Sequence, residues 1–288
     1  MENDQQQSPE DQISAEAAIN LLAVTTTHQH IFGGRNGALF AEIRRIAEQQ
    51  LEHALAPVDV AGGKWELFVK DGELRMYSRE LEVENGIAVD PLKALHVIEG
   101  VSAHEFIDLF FRPELKKEWD DTLELGKVVE TLSPHTAVIH QIHRRVWPAA
   151  QRESLFWSQR LNVLSECSSV TDHVPGEELL GAWMVCNQSV ERDDVPLSDP
   201  SAVRVRLTIA MLCRTVLKPG ADRTKPREQI TREDIRCKIT YVAQIHPGGW
   251  VPKIGIRQIY KREYPKFLRS FSKYVLDKVN GTALALPL

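Results

Sequence analysis

VRVRLTIAMLCR, residues 203–214, alternates without a break: Val203, Val205, Leu207, Ile209, Met211 and Cys213 fall on one side, and Arg204, Arg206, Thr208, Ala210, Leu212 and Arg214 on the other. Period two marks a strand of an antiparallel sheet with one apolar face and one wet face. IRCKITYVAQIH, residues 235–246, repeats the pattern, with Ile235, Cys237, Ile239, Tyr241, Ala243 and Ile245 opposite Arg236, Lys238, Thr240, Val242, Gln244 and His246. The same period fits Lys127 to Leu132, Thr136 to Val146, Glu153 to Leu164 and Ala182 to Arg192, and shorter strands are expected from Trp65 on and after Pro91. After Trp250 the period becomes helical: Ile256, Ile259, Tyr260, Tyr264, Phe267, Leu268, Phe271, Tyr274 and Val275 form one broad stripe that continues past Pro265, which should kink the helix rather than end it. A sheet with one apolar face and a helix with one apolar face bury each other, so the expected class is α+β, the sheet wrapping the C-terminal helix.

Outward from this core, Leu39, Phe40, Ile43, Ile46, Ala47, Leu51 and Leu55 recur at helical spacing and need a surface to pack on. Ser102 and Glu105 form a capping box ahead of Phe106, Ile107, Leu109 and Phe110, and Pro113 ends that short helix or begins the next. Residues 1–34 are polar and aperiodic and are expected to be a mobile tail; residues 35–288 are expected to form one domain.

The chain has 288 residues, 43% hydrophobic and 26% charged, which excludes collagen, coiled coil and wholesale disorder. Its longest uncharged apolar runs fall well short of the roughly 20 residues of a membrane span. Cys167, Cys186, Cys213 and Cys237 are widely spaced with no CxxC pair and no secretory signal ahead of them, so a reduced cytosolic chain with packing cysteines is expected. A net charge of -5 argues against nucleic acid. The charge is uneven, however: residues 253–278 carry eight cations against Glu263 and Asp277, a pattern that suits an anionic partner or a solvated helix face.

Catalytic signatures are absent: there is no GxSxG, P-loop, GxGxxG or HExxH. His140 and His143, three apart on a strand, face opposite ways and make no metal pair; ordinary strand polarity is expected of both. Gln141 shares a strand face with Ala137 and Ile139, Asn187 with Trp183 and Val185, and Tyr241 with its aliphatic neighbours. Three polar side chains thus point into an apolar interior, where each must meet a protein group, a water or a ligand. They satisfy one another in a closed core, or they converge on a lipid-sized ligand. Trp147 and Trp250 lie in loops beside proline or glycine, either tucked back on the fold or exposed at a bilayer interface near Arg144, Arg145 and Lys253. Glu118, Asp120, Asp121 and Glu124 form an acidic run that is either a solvated face or a source of paired carboxylates.

From Trp65 onward, GIAVDPLKALHVIEGV, KKEWDDTLE, QIHRRVWPAAQRE, VCNQSVERDDVPL, CKITYVAQIHPGGW and KREYPKFLRSF occur in that order, and over roughly residues 62–281 the chain closely resembles the ceramide-carrying START (StAR-related lipid transfer) domains. The resemblance implies a helix-grip fold, a curved antiparallel sheet gripping the C-terminal helix around a lipid tunnel. It implies that Asp120, Gln141, Asn187 and Tyr241 bind the polar head of the lipid and that Trp147 and Trp250 dock on the membrane. It further implies a non-enzymatic, monomeric carrier of a ceramide-like sphingolipid without a cofactor or metal, cytoplasmic and peripheral on organelle membranes. The remaining readings are a carrier of sterol, diacylglycerol or phospholipid, a lipid-sensing interaction module, and an enzyme, since related helix-grip folds include cyclases. Two features depart from the pattern: Asp120 stands where the family has Glu, and residues 165–181 have no close counterpart.

Overall fold

Nine strands among the described residues hydrogen-bond in the order β1-β2-β3-β9-β8-β7-β6-β5-β4. They are β1 (Glu66–Asp71), β2 (Leu74–Ser78), β3 (Leu92–Glu99), β4 (Leu123–Ser133), β5 (Thr136–His143), β6 (Arg152–Asn162), β7 (Glu178–Ser189), β8 (Val203–Leu217) and β9 (Ile235–His246). The helices are α1 (Gly37–Leu55), α2 (Ala103–Phe111), the short α3 (Leu164–Ser168) and α4 (Lys253–Val279). The computed structural model describes residues 37–58, 65–79, 89–145, 150–168, 177–249 and 253–287, with backbone alone at 253–256 and 260. Residues 1–34, Trp147, Trp250 and residues 169–176 of the 165–181 stretch therefore lie outside the described residues.

The last strand in sequence, β9, lies between β3 and β8 and joins the N-terminal hairpin to the rest of the sheet. One face carries Met211, Cys213, Ile239 and Tyr241, packed against Phe106 and Ile107 of α2 and Leu268, Phe271 and Val275 of α4. Pro265 lies inside α4, which runs on to Val279 as the continuing stripe requires. The capping box at the start of α2 is present, Ser102 Oγ accepting from Glu105 N and Glu105 returning the bond to Ser102 N. Glu105 also receives Arg232 Nη2 at 2.7 Å, and Arg232 reaches Thr282 Oγ1, so the cap of α2 is tied to the C-terminal segment.

The opposite face is not wet along its middle. Ala210, Leu212 and Val242, expected on the solvent side, are buried together with Leu155, Trp157, Ala182 and Met184 beneath Ile43, Ala47, Leu51 and Ala54 of α1. Burial of Ile43 and Leu51, each contributing roughly 1.5–3 kcal/mol, gives α1 most of its docking free energy, with smaller contributions from Ala47 and Ala54. Lys93 of β3 fixes the end of this helix, its Nζ donating to the carbonyls of His53 at 2.8 Å, Ala54 at 2.9 Å and Ala56. These are carbonyls that a helix C-terminus leaves unpaired.

Four cations of the basic run on α4 are engaged in ion pairs with the rest of the fold. Lys266 meets Asp121, Arg269 meets Asp71, Lys278 meets Glu118 and Arg257 meets buried Asp90. All four cysteines are buried and free, and burial pushes the Cys186 thiol up to about 12, as suits packing residues.

Candidate functional site

Gln141, Asn187 and Tyr241 share the α4-facing side of the sheet and are 5%, 7% and 3% exposed. Their places follow from strand register: Gln141 pairs with Ser154, which pairs with Val205; Asn187 pairs with Ile209; Tyr241 pairs with Met211. Val205, Ile209 and Met211 are on one face of β8, so the three polar residues are staggered along it rather than gathered at one point. Around them are Ala137, Ile139 and Phe156 on one side and the α2–α4 core on the other, with Leu207 packed against both groups.

Asp120 follows the 3-10 turn Pro113–Glu118 and is half-buried. The other members of the acidic run face elsewhere: Glu118 pairs with Lys278, Asp121 with Lys266, and Glu124 accepts from Gln151. Asp120 alone of the four turns to the interior, and Lys116 joins it to Gln141. Lys116 Nζ donates to Gln141 Oε1 at 2.9 Å and stands 3.7 Å from Asp120 Oδ2. Asp120 Oδ1 accepts from the Thr122 amide at 3.0 Å and the Thr122 hydroxyl at 2.6 Å. His143 Nδ1 lies 3.1 Å from that hydroxyl. Because the hydroxyl gives its proton to Asp120, Nδ1 must be the donating nitrogen, a tautomer fixed by the hydrogen-bond chain.

This network sets the charges. Burial, the largest influence on Asp120, pushes its carboxyl pKa up, but Lys116, Thr122 and His143 together outweigh it and the net shift is downward. Burial lowers Lys116, with Asp120 opposing. Burial, then Lys116, bring His143 down to about 4, so its ring is neutral at pH 7. Ordinary strand polarity therefore does not describe His143. His140, on the other face, forms a buried pair with Glu153 at 2.5 Å. Sequence reasoning missed Lys116, Thr122 and His143. The i,i+4 spacing of Lys116 and Asp120 was the available signal, since it places both on one side of a helical turn.

Asn187 Oδ1, an acceptor, and Trp119 Nε1, a donor, are among the buried polar atoms that lack a partner. Tyr241 packs its ring 5.5 Å from Phe267, which lies 5.7 Å from Trp119. Among the described residues, no group of three His, Cys, Asp or Glu side chains is placed to hold a metal, and no helix is long and apolar enough to cross a membrane.

An antiparallel sheet gripping a C-terminal helix over buried polar groups defines an α+β helix-grip protein. The chain belongs to the START domain family, whose model matches residues 45–278. It is 40% identical to a human protein named ceramide transfer protein over 242 residues, 84% of this chain and 36% of that one. It is 43% identical to the ceramide transfer protein of Xenopus laevis over 238 residues, 82% of this chain and 36% of that one. The chain thus spans about a third of the length of these relatives. Among solved structures, human STARD10 matches with a TM-score of 0.59 at 19% identity, covering 80% of this chain and 78% of that one. Human StAR-related lipid transfer protein 5 also matches with a TM-score of 0.59, at 12% identity, covering 85% of this chain and 99% of that one. These two likenesses concern the fold.

Proposed function

We propose that this chain is a non-enzymatic lipid carrier that withdraws one ceramide-like molecule from a membrane, encloses it between the sheet and α4, and releases it elsewhere unchanged. The unpartnered Asn187 Oδ1 carries this reading: a buried acceptor left unpaired costs roughly 1–3 kcal/mol, which a ligand donor recovers. The amide and hydroxyls of a ceramide offer donors and acceptors to Asp120, Gln141, Asn187 and Tyr241, while its chains bury about 0.8 kcal/mol per CH₂ against the apolar lining. Residues 35–288 are the lipid-binding domain in this reading, acting as a monomer in the cytoplasm and peripherally on organelle membranes. Relatives named for ceramide transfer support it.

Membrane contact is assigned to Trp147 and Trp250. Support comes from the described stems of their loops, which meet at Val203: its amide donates to the Gln151 carbonyl at 2.9 Å, and a Cβ at Gly248 would stand 2.4 Å from Val203 Cγ1. Native mass spectrometry after incubation with mixed-lipid vesicles tests the whole. The expected species is one ceramide per chain, with sphingomyelin left behind because its charged, bulky head cannot enter a closed polar interior. Equal extraction of both lipids, or preferred extraction of a sterol, overturns the ceramide reading.

A further inference from the structure

Trp119 caps the 3-10 turn beside Asp120, and its indole lies among aromatic rings: Phe271 at 4.6 Å, Phe267 at 5.7 Å and Phe110 at 6.2 Å between centroids. Lys116 Nζ stands 5.7 Å from the ring centroid, so the indole borders the same charged network that holds Gln141 and Asp120. Yet its Nε1–H is buried with no hydrogen-bond partner. Packing alone would be served by a phenyl ring; a buried indole ordinarily finds an acceptor for its N–H.

We propose that the Trp119 indole N–H is a ligand-selecting donor that hydrogen-bonds an acyl carbonyl oxygen of the bound lipid. This rests on the lipid-carrier reading and deepens it. The indole only donates, so its partner must accept. The other open positions want the reverse: Asp120 is a carboxylate and Asn187 Oδ1 an unpaired acceptor, and both take hydroxyl or amide hydrogens. In a ceramide the acyl carbonyl is the one polar group with no hydrogen to give, and the Trp119 N–H is a buried, unpaired donor beside this network that can meet it, with the amide hydrogens of Gln141 and Asn187 and the Tyr241 hydroxyl as the competing donors. Amide and ester lipids share that carbonyl; a sterol, with a hydroxyl alone, lacks it. Trp119 therefore selects acylated lipids as a class, while Asp120 and Asn187 select among them by their hydrogens.

The test follows the six indole N–H signals of the ¹⁵N-labelled protein, that of Trp119 being assigned through its backbone, as hexanoyl ceramide, a short-chain diacylglycerol or cholesterol is added in turn. The Trp119 signal is expected to move downfield with ceramide and with any diacylglycerol that binds, and not with cholesterol. Trp119→Phe keeps an aromatic ring, and it should weaken ceramide binding about tenfold, as expected when a buried carbonyl loses its donor. If that variant does not fold, the signal of the parent protein decides. Ceramide binding with an unmoved Trp119 signal, an equal shift with cholesterol, or undiminished ceramide affinity in a folded Trp119→Phe each overturns the proposal. Failure of ceramide to bind while diacylglycerol binds and shifts the signal removes the ceramide reading and leaves the role of Trp119 standing. No shift with any of the three lipids overturns it.

Discussion

At the scale of single residues, the site holds groups set against their own stability. Asn187 Oδ1 is buried and unpaired without ligand, so Asn187→Leu should leave the unliganded protein as stable or about 1 kcal/mol more stable while weakening ceramide binding. Paired denaturant melts and lipid-extraction assays check both halves; a variant less stable by several kcal/mol would show that Asn187 serves the core. Asp120 already accepts from Thr122 and faces Lys116, so its Oδ2 is the oxygen left for a ligand hydroxyl, directly or through one water. Asp120→Ala should reduce ceramide affinity about tenfold or more, and Asp120→Glu should retain it. Unchanged extraction by Asp120→Ala would return that residue to the solvated acidic run. His143 supplies a pH signature. Its folded pKa of about 4 lies below the ordinary value near 6.5, so on acidification the unfolded chain takes up the proton first. Its contribution is complete above about pH 6.5, falls as pH drops toward about 4, and amounts to a loss of about 2 kcal/mol by about pH 5. Urea unfolding should show a shallower acid loss in His143→Gln than in the parent; identical slopes would place the titration elsewhere.

At the scale of elements, the two faces of the sheet are held differently. α1 is fixed by apolar burial and by Lys93, whose ammonium is committed to three carbonyls at the helix end. Lys93→Met removes those donors and strands the carbonyls near a buried surface. It should lower stability by about 2–3 kcal/mol and raise hydrogen exchange in the last turn of α1 first. Uniform exchange across the chain would instead mean that α1 and the sheet unfold as one unit. The pairs tying α4 to Asp71 and Asp121 involve exposed side chains and contribute at most about 1 kcal/mol each, so apart from Arg257 on buried Asp90 the helix depends on its aromatic stripe more than on its charges.

At the scale of the whole molecule, the proposed lipid-binding interior and the proposed docking loops stand at different levels of β8. Val203 receives the stems of both tryptophan loops, on the opposite side of the Gln141 level from Asn187 and Tyr241. Trp147→Ala with Trp250→Ala should reduce vesicle association and transfer while sparing binding of a short-chain ceramide in solution, because an interfacial indole acts on docking. Equal loss of soluble-ligand binding would make the two tryptophans packing residues.

Much of this was legible in the sequence, and the rest was hidden for identifiable reasons. Alternation in residues 136–146, 182–192, 203–214 and 235–246 determined the strands and which side chains share a face, so Gln141, Asn187 and Tyr241 could be aimed inward before any coordinates. The capping box at Ser102 and the stripe running past Pro265 determined two helices in the same way, because capping and periodicity are local. Only the tertiary structure decided that α1 covers the face read as wet, since alternation reports which side chains point together and not what lies above them. Likewise, Lys116, Asp120 and Thr122 meet Gln141 and His143 only where the turn before β4 comes against β5, and the cations of α4 meet Asp71 and Asp121 from far along the chain. Charge pairing and burial act through space, so a one-dimensional pattern names the candidates and the folded chain assigns their partners.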